Sequence, residues 1–203
     1  SFCAPQILAE GMIGRTTDAK FSEFLANRRA HKHQLPPQPI VAFDSAGGNV
    51  AGAMALGHAI RKRKFDTLLA PNYSQIAEPN LGEEETVVRD AKCASACALA
   101  FVGGLRREVA PESRFGIHQF SSAKRDLGDS ATQVAVVVLA TYLAEMGVKR
   151  ELLDAASLVP PKTMYWLSSE EARRLRVDNT RPSANLWSIG ASPQGVPFLH
   201  TAH

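Results

Sequence analysis

The sequence predicts an α/β fold with mostly parallel sheets. Short apolar segments typical of buried strands alternate with longer segments of helical pattern, as in parallel strands joined by crossover helices. The chain has 203 residues, 45% of them hydrophobic and 21% charged, which is enough to bury a core and ordinary for a globular protein. We expect one domain over residues 1–179 and a tail or extension over residues 180–203.

The elements are predicted in order from the N-terminus. The first strand is expected at Gln6–Ile13, and a helix capped by Thr17 or Asp18 runs to about Lys32, where "HQLPPQP" ends it because proline removes a backbone donor. Further strands are expected at "IVAFDS", "TLLAPN" and "SRFGIHQF". Further helices are expected at "VAGAMALGHAIRKRK", "CASACALAFVGG", "DSATQVAVVVLATYLAEM" and "SSEEARRL".

Two of these helices, a polar segment and the tail carry additional signals. "SSEEARRL" begins with a capping box, because Glu171 follows Ser168 by three residues. "VAVVVLATYLAEM" is apolar on nearly all sides, so this helix is expected in the core or at a subunit contact. "EPNLGEEETVV" is polar and predicts a loop, and the tail offers one short strand candidate, "NLWSI".

The charge pattern argues against a nucleic-acid partner. The formal net charge is only +3, and the basic residues cluster in "NRRAHKH" and "RKRK". Both clusters fall near predicted helix ends, where cations meet the negative end of the helix dipole, and no aromatic residues interleave with them. We therefore interpret both clusters as solvated helix ends.

The N-terminus and the cysteines bear on the compartment. No apolar run reaches the roughly 18 residues of a membrane span, and the chain starts at Ser1, which fits a removed signal peptide or anchor. Cys3, Cys93 and Cys97 allow two interpretations. They are buried small hydrophobic residues, or Cys3 is bridged to Cys93 or Cys97 in an oxidising compartment.

Two local features could carry chemistry. In "DSAGGNV", between a strand and a helix, paired glycines let backbone N–H groups approach an oxyanion or phosphate, although such a pair is more often only a tight turn. Ser95 stands at a helix start, and His118 lies on a predicted strand 23 residues later. A serine beside a histidine base can act as a nucleophile; the alternative is a packing serine and a structural histidine.

The order of these segments resembles the proteolytic subunit of Clp protease and the wider Clp/crotonase superfamily. "FDSAGGNVAGAMALGHAI" is similar to the family's "SPGG" segment and its helix, and "CASACALAFVGG" is similar to its nucleophile segment. "REVAPESRFGIHQF" resembles the strand with the catalytic histidine, and "YWLSSEEARRLRVD" resembles the segment that follows later. The resemblance covers about residues 6–179 and implies a repeated β-β-α superhelix with mostly parallel sheets.

The resemblance also implies site residues. Ser95 would be the nucleophile, His118 the general base, and the N–H groups of Gly48 and Ala96 the oxyanion hole, with Gly47 supporting the turn. The family's acidic third residue falls on Met164, which cannot orient an imidazolium. A Ser–His dyad, a carboxylate from elsewhere (Asp126, Asp129 or Asp154) or a degenerate site are the remaining interpretations. A Ser–Lys pair with Lys124 or Lys162 is a lesser one.

These observations lead to three hypotheses about function. The first is a serine hydrolase, most simply a Clp-like peptidase that acts on peptides or proteins; the second is a catalytically silent binding or scaffold protein; the third is a crotonase-type acyl-thioester enzyme. No cofactor and no metal are expected, since His200 and His203 lie in the tail without an acid or cysteine nearby. A homo-oligomer is expected, in the periplasm or otherwise exported, with the cytoplasm as the alternative. Membrane association through the N-terminus is a further expectation.

Overall fold

The computed structural model describes residues 6–30, 39–70, 72–77, 84–119, 128–180, 187–191 and 197–201. Strands and helices alternate through most of this range, which confirms the predicted α/β class with mostly parallel pairing. The strands form two sheets and two hairpins. Ser95 and His118 follow strands of one sheet, and Gly47 and Gly48 follow a strand of the other.

The first sheet has four parallel strands in the order β1-β2-β3-β7. Their bounds are Gln6–Glu10 for β1, Ile40–Asp44 for β2, Asp66–Leu69 for β3 and Arg107–Val109 for β7. β1 is shorter than predicted, but Ile13 makes an isolated parallel bridge to Gly48. β7 was not predicted, because three residues are too few for a readable alternation.

The second sheet has the order β6-β8-β9, where β6 is Lys92–Ala94, β8 is Arg114–Ile117 and β9 is Tyr165–Trp166. β6 and β8 are parallel, and β9 runs antiparallel to β8. The two sheets are continuous at one point, because Ser45, directly after β2, makes a parallel bridge to Cys93 in β6.

Two antiparallel hairpins correct the sequence analysis. β4 (Asn72–Ala77) pairs with β5 (Glu84–Arg89), so the part of "EPNLGEEETVV" expected to be a loop is a strand from Glu84 onward. β10 (Trp187–Ala191) pairs with β11 (Pro197–Thr201), so the tail holds two strands instead of one. Polar strands of this kind are set by their pairing partner more than by their own propensity.

Six helices complete the described part of the chain. They are α1 (Thr17–Ala30), α2 (Val50–Lys62), α3 (Ala96–Phe101), α4 (Gly128–Glu145), α5 (Glu151–Ser157) and α6 (Ser169–Arg174). α3 is shorter than the helix predicted for "CASACALAFVGG", because Cys93 and Ala94 belong to β6.

The helix α3 lies at the centre of the core. All six of its residues are buried, and the rings of Phe43 and Phe115 meet that of Phe101 edge-on, at 6.1 and 5.5 Å between centroids. Glycines bring α2 close to this helix, since a Cβ on Gly57 would lie 2.9 Å from the Leu99 carbonyl oxygen. The small residues of α2 are therefore a requirement of packing, and they fix the position of α3.

Two arginines, the buried Arg107 and the half-buried Arg61, hold the C-terminal end of α3. The Arg107 side chain is 2% exposed and donates to backbone carbonyl oxygens at the ends of three helical segments, among them those of Met146 and Arg176. Desolvation lowers the pKa of Arg107 to about 10. Arg61, expected at a solvated helix end, instead donates to the carbonyl oxygens of Val102 and Met146 at 3.1 Å.

The apolar helix α4 is buried along only part of its length. Its C-terminal residues Leu139, Tyr142 and Leu143 belong to the core, and the Tyr142 hydroxyl donates to the Leu99 carbonyl oxygen at 2.5 Å. Toward its N-terminus, Val134 and Val137 are 62% and 63% exposed. Full burial in the core is therefore excluded for this part of the helix within the described chain.

Candidate active site

Three adjacent parallel strands end at one edge of the structure. Ser45 follows β2 and bridges to β6, Ser95 follows β6, and His118 follows β8. The register pairs Ala94 with Gly116, and the Ser95 N–H extends this ladder by donating to the Gly116 carbonyl oxygen at 3.0 Å. The carboxyl ends of neighbouring parallel strands lie together, which is where ligands bind in open α/β sheets.

Ser95 and His118 are in direct contact. The Ser95 Oγ and His118 Nε2 atoms are 2.7 Å apart, and both residues are half-buried. This distance is within the hydrogen-bond reach that a serine nucleophile and its base require. The structure therefore brings together the two side chains that the sequence singled out.

The backbone of Ser95 has an unusual conformation. Its φ is 58° and its ψ is −128°, a combination that residues with a side chain rarely adopt. Ser95 occupies the N-cap position of α3 but makes no capping hydrogen bond with its side chain. A sharp strand-to-helix turn of this kind presents a serine hydroxyl outward in α/β-hydrolases.

The glycine turn lies against this serine. Gly47 and Gly48 have φ values of 104° and 142°. A Cβ on Gly47 would lie 2.9 Å from the Ser95 Cβ and 3.0 Å from the Ala96 nitrogen, and a Cβ on Gly48 would lie 2.2 Å from the Ile13 carbonyl oxygen. Both positions therefore require glycine, for conformation and for space.

The two N–H groups assigned to an oxyanion hole have no protein partner in the described residues. Neither the Gly48 N–H nor the Ala96 N–H donates to an acceptor there. Ala96 opens α3, where the first N–H groups of a helix lack intrahelical acceptors. Ala96 directly follows Ser95, and Gly48 directly follows Gly47, which packs against Ser95. Backbone donors of this kind suit a developing negative charge.

Ser45 is a site residue that the sequence analysis missed. It is 3% exposed; its Oγ donates to the Gly11 carbonyl oxygen at 2.5 Å and accepts from the Gly47 N–H at 3.1 Å. The hydroxyl thereby fixes the start of the glycine turn relative to the loop after β1. In the sequence, the position of Ser45 directly before the "AGG" of the glycine turn was the signal that could have identified it.

Met164 lies beside His118, where an acid was expected. Continuing the antiparallel register of Gly116 with Trp166 and Ile117 with Tyr165 places Met164 opposite His118. The Met164 Sδ would be 2.8 Å from a Cβ on Gly116, so its side chain covers the sheet face that Gly116 and His118 share. The thioether is only a weak acceptor.

The second ring nitrogen of His118 has no hydrogen-bond partner in the part of the chain that the structure describes. Nδ1 is buried without a hydrogen bond to any described residue. Asp154, one of the carboxylates proposed to reach it, instead lies 3.7 Å from the Arg150 Nε and is 60% exposed, which corrects that expectation. The side chains of Asp126 and Asp129 lie outside the described residues.

The lysine alternative gains no support in the described residues. Ser95 contacts His118 and not Lys162, whose side chain is exposed, and Lys124 lies outside the described part of the chain. The described residues also contain no group of three metal-ligating side chains. The side chain of His200, and His203 as a whole, lie outside the described residues.

The cysteines form a bridge that the sequence analysis did not consider. Cys93 and Cys97 are joined by a disulfide, with their Cα atoms 5.2 Å apart, and both residues are 0% exposed. Neither sulfur is left for the expected bond to Cys3, which itself lies outside the described residues. The bridge spans Ser95.

Trp166 packs beside the site, against Gly116 of β8. The Arg114 guanidinium lies 4.1 Å from the centre of its ring, in a cation–π contact. The side chain of Trp187 lies outside the described residues. Among the helices of the described residues, none has the length and apolar character to cross a membrane.

Comparison with known proteins identifies the fold. No family model matches the sequence, and no curated protein matches it. Among solved structures, a point mutant of the 1510-N membrane-bound stomatin-specific protease matches with a TM-score of 0.54 at 15% identity, over 91% of this chain and 88% of that one. ClpP1 from Listeria monocytogenes matches with a TM-score of 0.57 at 18% identity, over 86% of this chain and 88% of that one.

At these identities the comparison concerns the fold. Both neighbours have the ClpP-like arrangement of the Clp/crotonase class, and the mostly parallel α/β architecture of this chain is the same fold. The resemblance inferred from the ordered segments is therefore confirmed at the level of the fold.

Proposed function

We propose that this ClpP-like chain is a serine hydrolase, most simply a peptidase, that acts through Ser95 and His118. The observation that carries the proposal is the 2.7 Å contact between Ser95 Oγ and His118 Nε2 at the carboxyl edge of parallel strands. The neighbours of the same fold include chains named as proteases, which favours a peptide or protein substrate.

The mechanism follows from these groups. His118 Nε2 accepts the Ser95 proton as Oγ attacks a carbonyl carbon, and the Gly48 and Ala96 N–H groups bind the resulting oxyanion. The protonated His118 then gives its proton to the leaving group. Water then attacks the acyl carbon while His118 accepts its proton. His118 returns a proton to Ser95 Oγ, which releases the acyl group as an acid.

Fluorophosphonate labelling tests the nucleophile directly. We expect the probe to modify the wild-type protein at Ser95, to fail with Ser95→Ala, and to react at least about 10²-fold more slowly with His118→Ala, since general-base catalysis contributes about 10²–10⁴. Ser168→Ala is the matched control, because it removes another helix N-cap serine away from His118. Labelling that persists in Ser95→Ala would refute the proposal.

A catalytically silent scaffold is the second candidate. The unpartnered His118 Nδ1 and the thioether of Met164 in the acid position favour it. Without a carboxylate to orient the ring, the loss in a well-studied triad is on the order of 10⁴. A turnover of peptide esters that disappears in His118→Ala would exclude this candidate.

Two further parts of the proposal concern assembly and compartment. The exposed valines of α4, which include Val134 and Val137, fit a contact between copies in a homo-oligomer, because large exposed apolar patches mark interaction sites. The Cys93–Cys97 disulfide fits the periplasm or another oxidising compartment, since disulfides are rare in reducing cytosol. Light scattering of the wild type and of Val137→Glu tests the homo-oligomer. Alkylation of free thiols in cell fractions, before and after reduction, tests the oxidising compartment.

A further inference from the structure

We propose that the Cys93–Cys97 disulfide is a positioning device for Ser95, which holds the serine in its strained conformation for reaction. The bridge joins the end of β6 to the first turn of α3, and Ser95 is the middle residue of the three that it encloses. This inference rests on the proposed function, because it assigns a role in orienting the proposed nucleophile.

The strain at Ser95 requires such a constraint. A non-glycine residue in a sparsely populated backbone region is strained and persists only where its surroundings determine it. The Ser95 N–H is held by the Gly116 carbonyl oxygen, and its own carbonyl oxygen accepts from the Ala98 N–H at 3.0 Å. The disulfide adds a covalent tie across both of these hydrogen bonds.

The two ends of the bridge have different anchors. Cys93 pairs with Phe115 in β8 and bridges to Ser45, so it is fixed to the sheet. Cys97 belongs to the buried helix α3, whose far end is held by Arg61 and Arg107. The disulfide therefore fixes the sheet and the helix relative to one another at the residue where the hydroxyl is presented.

The bridge does little for the fold as a whole. A ring of about five residues removes much less chain entropy from the unfolded state than a long loop does, because this entropy grows with the logarithm of the loop length. The local effect is larger. Loss of the bond removes the covalent tie between β6 and α3, so the groups on either side of Ser95 are free to move relative to one another.

A small displacement is enough to affect catalysis. Misplacement of a reacting group by about 1 Å can cost on the order of 10² in rate. The same shift would move the Ala96 N–H, which lies inside the bridge, away from the oxyanion position. We therefore expect loss of the bond to lower kcat and to leave KM nearly unchanged.

The experiment compares the wild type with the double variant Cys93→Ala/Cys97→Ala. Two readouts are measured on each: the rate of Ser95 labelling by a fluorophosphonate, and the hydrogen-exchange rate of the Ser95 amide. We expect labelling to be about 10–100-fold slower in the double variant and Ser95 exchange at least about tenfold faster, while the Gly103 amide, at the other end of α3, exchanges as in the wild type. Equal labelling and equal exchange would overturn the proposal.

Val102→Ala is the matched control. It truncates a fully buried residue at the C-terminal end of α3 and so lowers stability without touching the bridge. We expect it to leave both Ser95 readouts unchanged in the folded protein. If Val102→Ala changed them as much as the double variant does, the effect would be one of general stability and the positioning role would be refuted.

Reduction of the wild type removes the bond while both sulfurs remain. Dithiothreitol donates two electrons and two protons, becomes a cyclic disulfide and leaves Cys93 and Cys97 as thiols. We expect the reduced protein to stay folded, with slow labelling that recovers on reoxidation. If the double variant does not fold, this measurement decides: a reduced protein that unfolds, or that labels at the full rate, overturns the proposal.

The two readouts separate this inference from the proposed function. If the wild type shows no labelling at all but Ser95 exchange still depends on the bond, the hydrolase proposal fails and the positioning of the turn stands. If labelling is rapid but independent of the bond, the hydrolase stands and the positioning role fails.

Discussion

Ser95 and Ser168 occupy the same position on two helices and are used in opposite ways. Ser168, at φ −69° and ψ 161°, accepts a hydrogen bond from the Glu171 N–H and completes a capping box. Ser95, at φ 58° and ψ −128°, makes no capping bond and meets His118 instead. Serine is the natural choice for an N-cap, and only the backbone conformation separates the two roles.

The surroundings of the two serines differ in how completely their polar groups are hydrogen-bonded. Around Ser168 the hydroxyl, the backbone N–H and the Glu171 carboxylate are all satisfied. Around Ser95, the His118 Nδ1 and the N–H groups of Gly48 and Ala96 have no partner among the described residues. Unsatisfied and strained groups concentrated at one site are expected where binding or reaction occurs.

The largest effect is expected from Gly48→Ala. A Cβ there would lie 2.2 Å from the Ile13 carbonyl oxygen at a φ of 142°, so the turn must shift and move its N–H. We expect Ser95 labelling and peptide-ester turnover to fall by about 10²–10³, the value of one oxyanion donor. Gly147→Ala is the control, since it also has a positive φ but no atom within 4 Å, and should cost only stability. An active Gly48→Ala would remove Gly48 from the site.

The next effect is a gain, expected from Met164→Asp. The Met164 side chain covers the sheet face that Gly116 and His118 share. We expect a carboxylate introduced there to reach the ring, accept the Nδ1 proton and orient the imidazole. We expect turnover to rise about tenfold or more, measured with peptide esters. Met164→Leu, which keeps the volume, should leave turnover unchanged; an inactive, folded Met164→Asp would favour the scaffold candidate.

A smaller effect compares the two serines by stability. Ser168→Ala loses the cap of α6 and should lower the free energy of unfolding by about 1 kcal/mol in urea titrations. Ser95→Gly should not lower it and should raise it by up to about 1 kcal/mol, because glycine adopts a positive φ without strain. If Ser95→Gly costs as much as Ser168→Ala, Ser95 is a structural cap after all.

The smallest effect depends on pH and concerns Glu171. Hydrogen bonds from the Tyr165 hydroxyl first, and from the Ser168 backbone and hydroxyl next, hold the pKa of Glu171 below its ordinary value. A carboxyl whose pKa is lowered by folding stabilises the protein fully above its unfolded pKa, and this stabilisation is lost as the pH falls through the folded pKa. Glu171→Gln should therefore cost less than about 1 kcal/mol at pH 7 and nothing well below pH 4, measured by urea unfolding at both values. A cost independent of pH would contradict this.

Local signals in the sequence were reliable where structure depends on neighbouring residues. The capping box of Ser168 and Glu171 was predicted from their spacing, and the structure forms both of its hydrogen bonds. The strand, glycine turn and helix around Gly47 and Gly48 followed from residue types that permit few alternatives. The order of the segments was also sufficient to predict the ClpP-like fold that the structural comparison confirms.

Pairing over distance was not available from the sequence. The hairpin of β4 and β5 was missed because its polar strands are defined by each other. The contact of Ser95 with His118 depends on the parallel register of β6 and β8, which joins residues 23 positions apart. Their types and order raised the hypothesis, but only the packed sheet sets the distance between them.

The disulfide shows most clearly what the sequence determined and what tertiary structure decided. Sequence placed Cys93 and Cys97 on either side of Ser95, and its pattern predicted one continuous helix through all three residues. The structure ends a strand at Ala94, reverses the chain at Ser95 with a positive φ and begins the helix at Ala96, which brings the two Cα atoms to 5.2 Å. That turn is stabilised by Gly116, Ser45 and Gly47, which lie far from it in sequence, so residues 93–97 alone could not specify it.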